Sequence, residues 1–204
     1  MPRPKGDIEP RIVRAARRRF EKEGVDGASL RAIAKDAGTS IGMIYYYFPT
    51  KDELFLSVVE TTYERVLADL EQALAPDIPA RERFQNLFVR LAHLNDDEIS
   101  MMRLIAREAL VSSSRLDRLI ERFKLGHVPL ILRTIFDGLG EGLLDRSRHP
   151  LVLLFATAGL AGPPQLMRRV IGDRLPLPGV PGPDELAREL VDVLLNGVGA
   201  HKRA

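Results

Sequence analysis

Cysteine is absent from this chain of 204 residues. Its absence rules out a disulfide framework, a zinc–thiolate site and thiol catalysis. Tryptophan is absent too, and aromatics make up only 6%. Strand-forming runs of Val, Ile and Thr are scarce, while Leu, Ala, Arg and Glu dominate, a bias toward helix. Long apolar runs are missing. The longest, Leu151 to Gly162, falls short of the roughly 20 residues needed to span a bilayer. The opening MPRPKGDIEP is polar and proline-rich and does not read as a signal peptide. A cytoplasmic protein is therefore expected.

Catalytic patterns are missing as well. The histidines at 93, 127, 149 and 201 show no metal-ligand spacing, and no HExxH occurs. There is no GxSxG elbow and no Walker lysine. Gly138, Gly140 and Gly142 imitate a nucleotide loop, but the third spacing is wrong and no strand precedes them. The chain does not read as an enzyme, and neither cofactor nor metal is expected.

Apolar residues make up 45%, enough for a sizeable core. The length suits one full domain, or a small head on a larger body. Net charge is only +2, but residues 1–51 hold 11 Lys/Arg against 6 Asp/Glu, whereas the remainder is net acidic. A basic head on an acidic body fits a polyanion partner for the head; it also fits a solvated basic surface.

Helix signals follow one another along the chain. Asp7 is positioned to cap a first helix that Gly24 ends, with Ile12, Val13, Ala16 and Phe20 inward. Ser29 caps a short second helix, with Leu30, Ile33, Ala34 and Ala37 inward, and Gly38 breaks it. A third helix starts at Thr39 or Ser40 and stops before Pro49. Thr50 and Glu53 form a capping box for a fourth, running to about Ala75. Five more are expected over 80–94, 97–112, 115–137, 150–172 and 184–198. A stiff loop, PLPGVPGP (176–183), precedes the last. The fold class is therefore all-α, with about nine helices. Residues 1–50 form the head and 51–204 the body.

Residues 29–48, SLRAIAKDAGTSIGMIYYYF, place two short helices around a tight glycine turn. This is the helix-turn-helix layout, whose second helix enters the major groove. That helix is about two turns long, and its inward residues (Ile41, Ile44, and Tyr45 or Phe48) cannot stabilise it alone. Its outer face comprises Thr39, Ser40, Gly42, Met43, Tyr46 and Tyr47. Gly42 permits close backbone approach, Met43 offers apolar contact to a thymine methyl, and the hydroxyls suit phosphates. Lys51 opposes the dipole of the fourth helix but is well placed to bind a phosphate there.

The stretches RRRFEKEG (17–24) and ASLRAIAKDAGTSIGMIYYYFPTKDEL (28–54) resemble the TetR/AcrR family of bacterial regulators. The resemblance covers about a quarter of the chain; beyond Leu54 only length and helix count match. It implies that Ser29 and Arg31 approach phosphates, that Thr39, Ile41, Gly42 and Met43 face base edges, and that Tyr45, Tyr46 and Lys51 grip the backbone. The chain departs from the family's usual residues at Ile41, Met43 and Tyr46, making this helix more apolar than most. Arg3 and Lys5 read either as an arm along a groove or as a disordered tail.

One such helix reads too few base pairs for selectivity in a genome, so two copies spaced about 34–36 Å apart are needed to read a palindrome. The resemblance implies that the last two helices pair with their symmetry mates in a four-helix bundle. LVLLFATAGLAG (151–162) is apolar on all sides, and the last helix repeats Leu186, Leu190, Leu194 and Val191, Leu195, Val198, giving two apolar faces. The expected homodimer interface is Leu151, Phe155, Ala158, Leu186, Leu190, Val191, Leu194 and Leu195.

The resemblance also implies an effector pocket in the body whose occupation releases DNA. The expected lining is Phe84, Phe88, Leu91, Met102, Ile105, Phe123, His127, Ile131 and Phe155, which suits an apolar, lipophilic small molecule. Pro129 is expected to kink the seventh helix beside an inward His127. Arg103, Arg107 and Glu108 are expected to face solvent. The rival reading, a helical ligand-binding or scaffolding module, would leave the tyrosine run and Lys51 without a use.

Overall fold

The computed structural model describes residues 7–171 and 179–197. Among them are eleven helices and no strand: α1 (Ile8–Gly27), α2 (Leu30–Ala37), α3 (Ile41–Tyr47), α4 (Lys51–Ala73), α5 (Ala80–Ala92), α6 (Asp96–Val111), α7 (Ser113–Lys124), α8 (His127–Gly140), α9 (Pro150–Ala161), α10 (Pro163–Ile171) and α11 (Pro183–Asn196). The fold is all-α, as expected. Arg3, Lys5, Val198 and the first part of the 176–183 loop lie outside the described residues.

The two additional helices arise where expected helices divide. The seventh splits into α7 and α8 at Gly126, whose backbone is non-helical at φ −114°, ψ −114°. Pro129 then falls in the first turn of α8, where its missing N–H interrupts no helical hydrogen bond. The expected mid-helix kink is thus a clean break. The eighth splits at Gly162, because Pro163 and Pro164 are readily accommodated only at a helix start, that of α10. Residues 150–169 together are long and apolar enough to cross a membrane by composition. The break leaves α9 with 12 residues, only about 18 Å of helix against a hydrocarbon core of about 30 Å.

The first helix contains its own break. Gly24 sits at φ 80°, ψ 165° inside α1, so the main run ends there as expected and a further turn reaches Gly27. At the other end the Asp7 side chain forms no cap, contrary to expectation. Its carboxylate faces Arg14 at 3.8 Å instead.

The chain gathers into two compact units. The first takes residues up to Val66 together with Asp96–Phe123, so it holds the head, the first part of α4, α6 and most of α7. There α1 packs on α2 and α6, and α2 on α3, around Ile12, Ala16, Phe20, Val25, Ile33, Ile44, Leu54 and Phe55, all fully buried. The second takes Leu67–Asn95 and the chain from Lys124 onward. There α5 packs on α8, α9 and α11, and α9 on α10 and α11, around Leu74, Phe84, Leu87, Phe88 and Ile135.

Candidate nucleic-acid interface

Helix α3 has seven residues, too few to hold itself together in water. Its neighbours hold it. Ile44 is fully buried and Phe48 nearly so, so one side is pinned into the core of the first unit. At its start the Met43 N–H donates to Ser40 Oγ at 3.3 Å, which makes Ser40 the cap. The Ala32 N–H donates to Ser29 Oγ at 3.5 Å and starts α2 in the same way. Gly38 ends α2 in the left-handed conformation, φ 63°, ψ 43°, a shape that favours glycine.

Helix α1 locks the turn from outside. Arg11 Nε donates to the Ala37 carbonyl at 2.9 Å and Nη2 to the Gly38 carbonyl at 2.8 Å. These are carbonyls that the end of α2 leaves without helical partners. Arg19 Nε donates to Asp36 Oδ2 at 2.7 Å, and this guanidinium holds the Asp36 carboxyl below the usual carboxylate range. Both arginines are well separated in sequence from the turn they hold, and no local pattern singles them out.

The helical period places Gly42 and Tyr46 opposite Ile44. Tyr46 is 76% exposed and Tyr45 52%. Gly42, Ser40, Ser29 and Arg31 are exposed, and Thr39, Ile41, Met43 and Lys51 half-buried. Of the two alternatives for the last inward residue, Phe48 takes the place and Tyr45 points out. Tyr47 is half-buried and meets Tyr46 edge-on, ring centroids 5.2 Å apart. The exposed side therefore carries two phenols, a serine hydroxyl and a bare backbone at Gly42. That combination offers donors to phosphate oxygens and lets a duplex approach closely.

Helix α4 begins at the edge of this face. The Glu53 N–H donates to Thr50 Oγ1 at 3.1 Å, half of the expected capping box. Lys51 Nζ donates to the Asp26 carbonyl at 3.1 Å. An ammonium has three donors, so the bond fixes the side chain and leaves two for another acceptor.

Behind the face lies an ionic cluster that sequence spacing does not reveal. Breaking α1 at Gly24 orphans backbone groups, and α6 supplies their partners. Arg107 Nη2 donates to the Phe20 carbonyl, and Glu108 Oε1 accepts from the Val25 N–H at 3.1 Å. Glu108 is only 2% exposed, which corrects the expectation that it faces solvent. Its other oxygen accepts from Arg115 Nη1 at 2.6 Å. Arg115 is itself buried, and its Nε donates to Asp52 Oδ1 at 2.9 Å while Nη2 donates to Asp26 Oδ1. Burial pulls the Arg115 pKa down, but the bonds to Asp26 and Asp52 outweigh it and leave the group above its ordinary value. In return the guanidinium holds the Asp26 carboxyl below the usual range.

The profile of the bacterial regulatory proteins of the tetR family matches residues 12–58, the stretch just described. The match takes in the head, about a quarter of the chain. Among curated relatives of this chain is the HTH-type transcriptional regulator PksA of Bacillus subtilis strain 168. It is 31% identical over 91 residues, 45% of this chain and 44% of the relative; the match thus spans under half of that protein's length. The HTH-type transcriptional repressor AcnR of Corynebacterium diphtheriae is 28% identical over 148 residues, 66% of this chain and 78% of the relative. Among solved structures, FadR of Bacillus subtilis, determined in complex with stearoyl-CoA, superposes with a TM-score of 0.71 at 15% identity, covering 93% of this chain and 99% of that one. That likeness extends the shared fold across 93% of the chain. The curated relatives are named as regulators, in line with the reading that the chain is not an enzyme.

The residues expected to line an effector pocket fall in both compact units. Phe84, Phe88 and Ile131 are core residues of the second, Leu91 and His127 are half-buried there, and Met102, Ile105 and Phe123 are half-buried in the first. Phe123 lies 5.5 Å from the Tyr63 ring, centroid to centroid. Phe155 is 64% exposed. Of the expected dimer residues, Leu151, Phe155 and Ala158 form an exposed stripe on α9, opposite the buried Leu153, Thr157 and Ala161. Leu186, Leu190, Leu194 and Leu195 are half-buried on α11, whereas Val191 is buried in its own unit.

Proposed function

We propose that the chain is a transcriptional regulator, acting as a repressor, that binds palindromic operator DNA as a homodimer and is released by a small lipophilic effector. Residues 1–50 are its DNA-binding head and 51–204 its effector-binding and dimerisation body. One observation carries the reading: α3 is pinned by Ile44 and Phe48 and capped by Ser40, yet turns Gly42, Tyr45 and Tyr46 outward. Ser29, Arg31, Ser40, Tyr45, Tyr46 and Lys51 serve phosphates, while Thr39, Ile41, Gly42 and Met43 serve the groove. The exposed Leu151, Phe155 and Ala158 stripe, flanked by small residues that allow close packing, supports a second copy as partner. The naming of a related repressor supports repression, and the apolar residues of the body support release by an uncharged or amphipathic ligand.

The test is a titration of the full chain with a duplex carrying the region upstream of its own gene. Binding is expected to weaken steeply as salt rises, because phosphate contacts release counterions. Lys51→Ala is expected to weaken binding to all sequences alike, and Met43→Ala to alter sequence preference. No salt-dependent binding to any duplex would overturn the reading.

A further inference from the structure

We propose that Arg115 is a positioning residue for DNA binding, acting on Lys51 through Asp26 and Asp52. The inference rests on the DNA-binding reading above. Lys51 donates to the carbonyl of residue 26. The carboxylate of that same residue, and the carboxylate of the residue following Lys51, both meet the Arg115 guanidinium. Arg115 therefore staples together the two backbone segments at either end of the Lys51 bond. Ser114 Oγ adds a donor to Asp52 Oδ2 at 3.3 Å, and Glu108 anchors the guanidinium from below at 2.6 Å.

Charge supports this division of labour. Arg107, Arg115 and Lys51 stand against Asp26, Asp52 and Glu108. The cluster balances, and its two arginines are committed to protein groups. Lys51 is the cation that keeps donors to spare beside the exposed face. Held by one bond, it meets a phosphate without first losing the rotamer freedom of a loose lysine. If Asp26 and Asp52 are no longer gathered, the carbonyl of residue 26 and the first turn of α4 drift apart. Lys51 then reverts to an ordinary mobile side chain.

The experiment compares wild type, Asp26→Asn, Arg115→Ala, Lys51→Ala and the double variant Asp26→Asn/Lys51→Ala. Affinity for the upstream duplex is measured across a salt series, with helical circular dichroism recorded alongside. Asp26 is exposed, so Asp26→Asn is expected to keep the fold. It is expected to bind roughly tenfold more weakly and to lower the salt slope by about one for each phosphate no longer gripped, as Lys51→Ala does. The double variant is expected to bind no more weakly than Lys51→Ala alone, because both changes remove the same grip on the duplex. Arg115→Ala is expected to match them. If stranding Glu108 costs Arg115→Ala its helical signal, Asp26→Asn decides. Unchanged affinity and slope in Asp26→Asn, or losses that add to those of Lys51→Ala, would overturn the inference alone. Wild type without salt-dependent binding would overturn the functional reading along with it.

Discussion

Gly42 stands at the centre of the exposed side of α3, and a Cβ built there would meet only Ser40 Oγ, at 3.7 Å. The subunit itself has room for alanine. Gly42→Ala is expected to stabilise the fold by about 0.5–1 kcal/mol, since glycine loses more freedom on folding, as read by urea unfolding. The same change is expected to weaken duplex binding, because on the proposed reading the added methyl stands between the α3 backbone and the groove. Equal affinity in the two proteins would place the closest approach elsewhere. Arg83 poses the opposite problem. It is buried, and Nη2 donates to Asp137 at 2.6 Å, while among the described residues Nε and Nη1 have no hydrogen-bond partner. Asp137→Ala is expected to cost about 3 kcal/mol by leaving that charge uncompensated, whereas Arg83→Met is expected to be neutral or stabilising; thermal unfolding of both checks this. Single residues are legible where their partners are near in sequence. Ser29 reads as a helix start, and Thr39 or Ser40 as another, because an N-cap acts within three residues. Glu108 reads wrongly as a solvent-facing group because its partner at Val25 lies 83 positions away, and no local periodicity reports that.

Short helices make the head vulnerable as a set of elements. With seven residues in α3 and Ile44 its fully buried anchor, Ile44→Ala is expected to cost about 2–5 kcal/mol and to lose DNA binding with it. The outward stripe of α9 should behave oppositely. Phe155 is 64% exposed, so Phe155→Glu is expected to leave subunit helicity intact while shifting the chain from dimer to monomer in light scattering. An unchanged mass would move the interface to another surface. Most helix limits are readable, because α4, α5, α6 and α11 begin and end within two residues of the expected positions. The divisions at Gly126 and Gly162 are not. A proline after a glycine reads equally well as a kink or as a new start, and only tertiary packing decides which.

The molecule as a whole carries several carboxyls held below their usual range: Asp26 by Arg115, Asp36 by Arg19, and Asp145 by the Ser147 backbone N–H. A carboxyl lowered in the folded state adds stability that is complete above its unfolded value, about 3.9, and is lost as pH falls through the folded value. Stability from this source is therefore expected to be flat from neutral pH down to about 5 and to decline below about 4. Asp26→Asn is expected to be less stable at neutral pH, with the gap to wild type closing as acid is added. Parallel curves would remove Asp26 from the account. The basic head is evident from composition, but the two compact units are not. Helices α6 and α7 gather with the head although α5 precedes them, a grouping set by Arg107, Glu108 and Arg115 and not by chain order.

The way Gly24 is closed also bears on how the protein is made. A nascent chain that has emerged from the ribosome as far as Val66 already holds α1, α2 and α3. It lacks the Arg107 donor, the Glu108 acceptor and the Arg115 staple, which are translated some forty to fifty codons later. Until then the break in α1 is satisfied only by water, and Lys51 has no fixed seat. On the proposed reading, competence to occupy DNA is thus withheld from an unfinished polypeptide and arrives with the segment that also leads into the second unit.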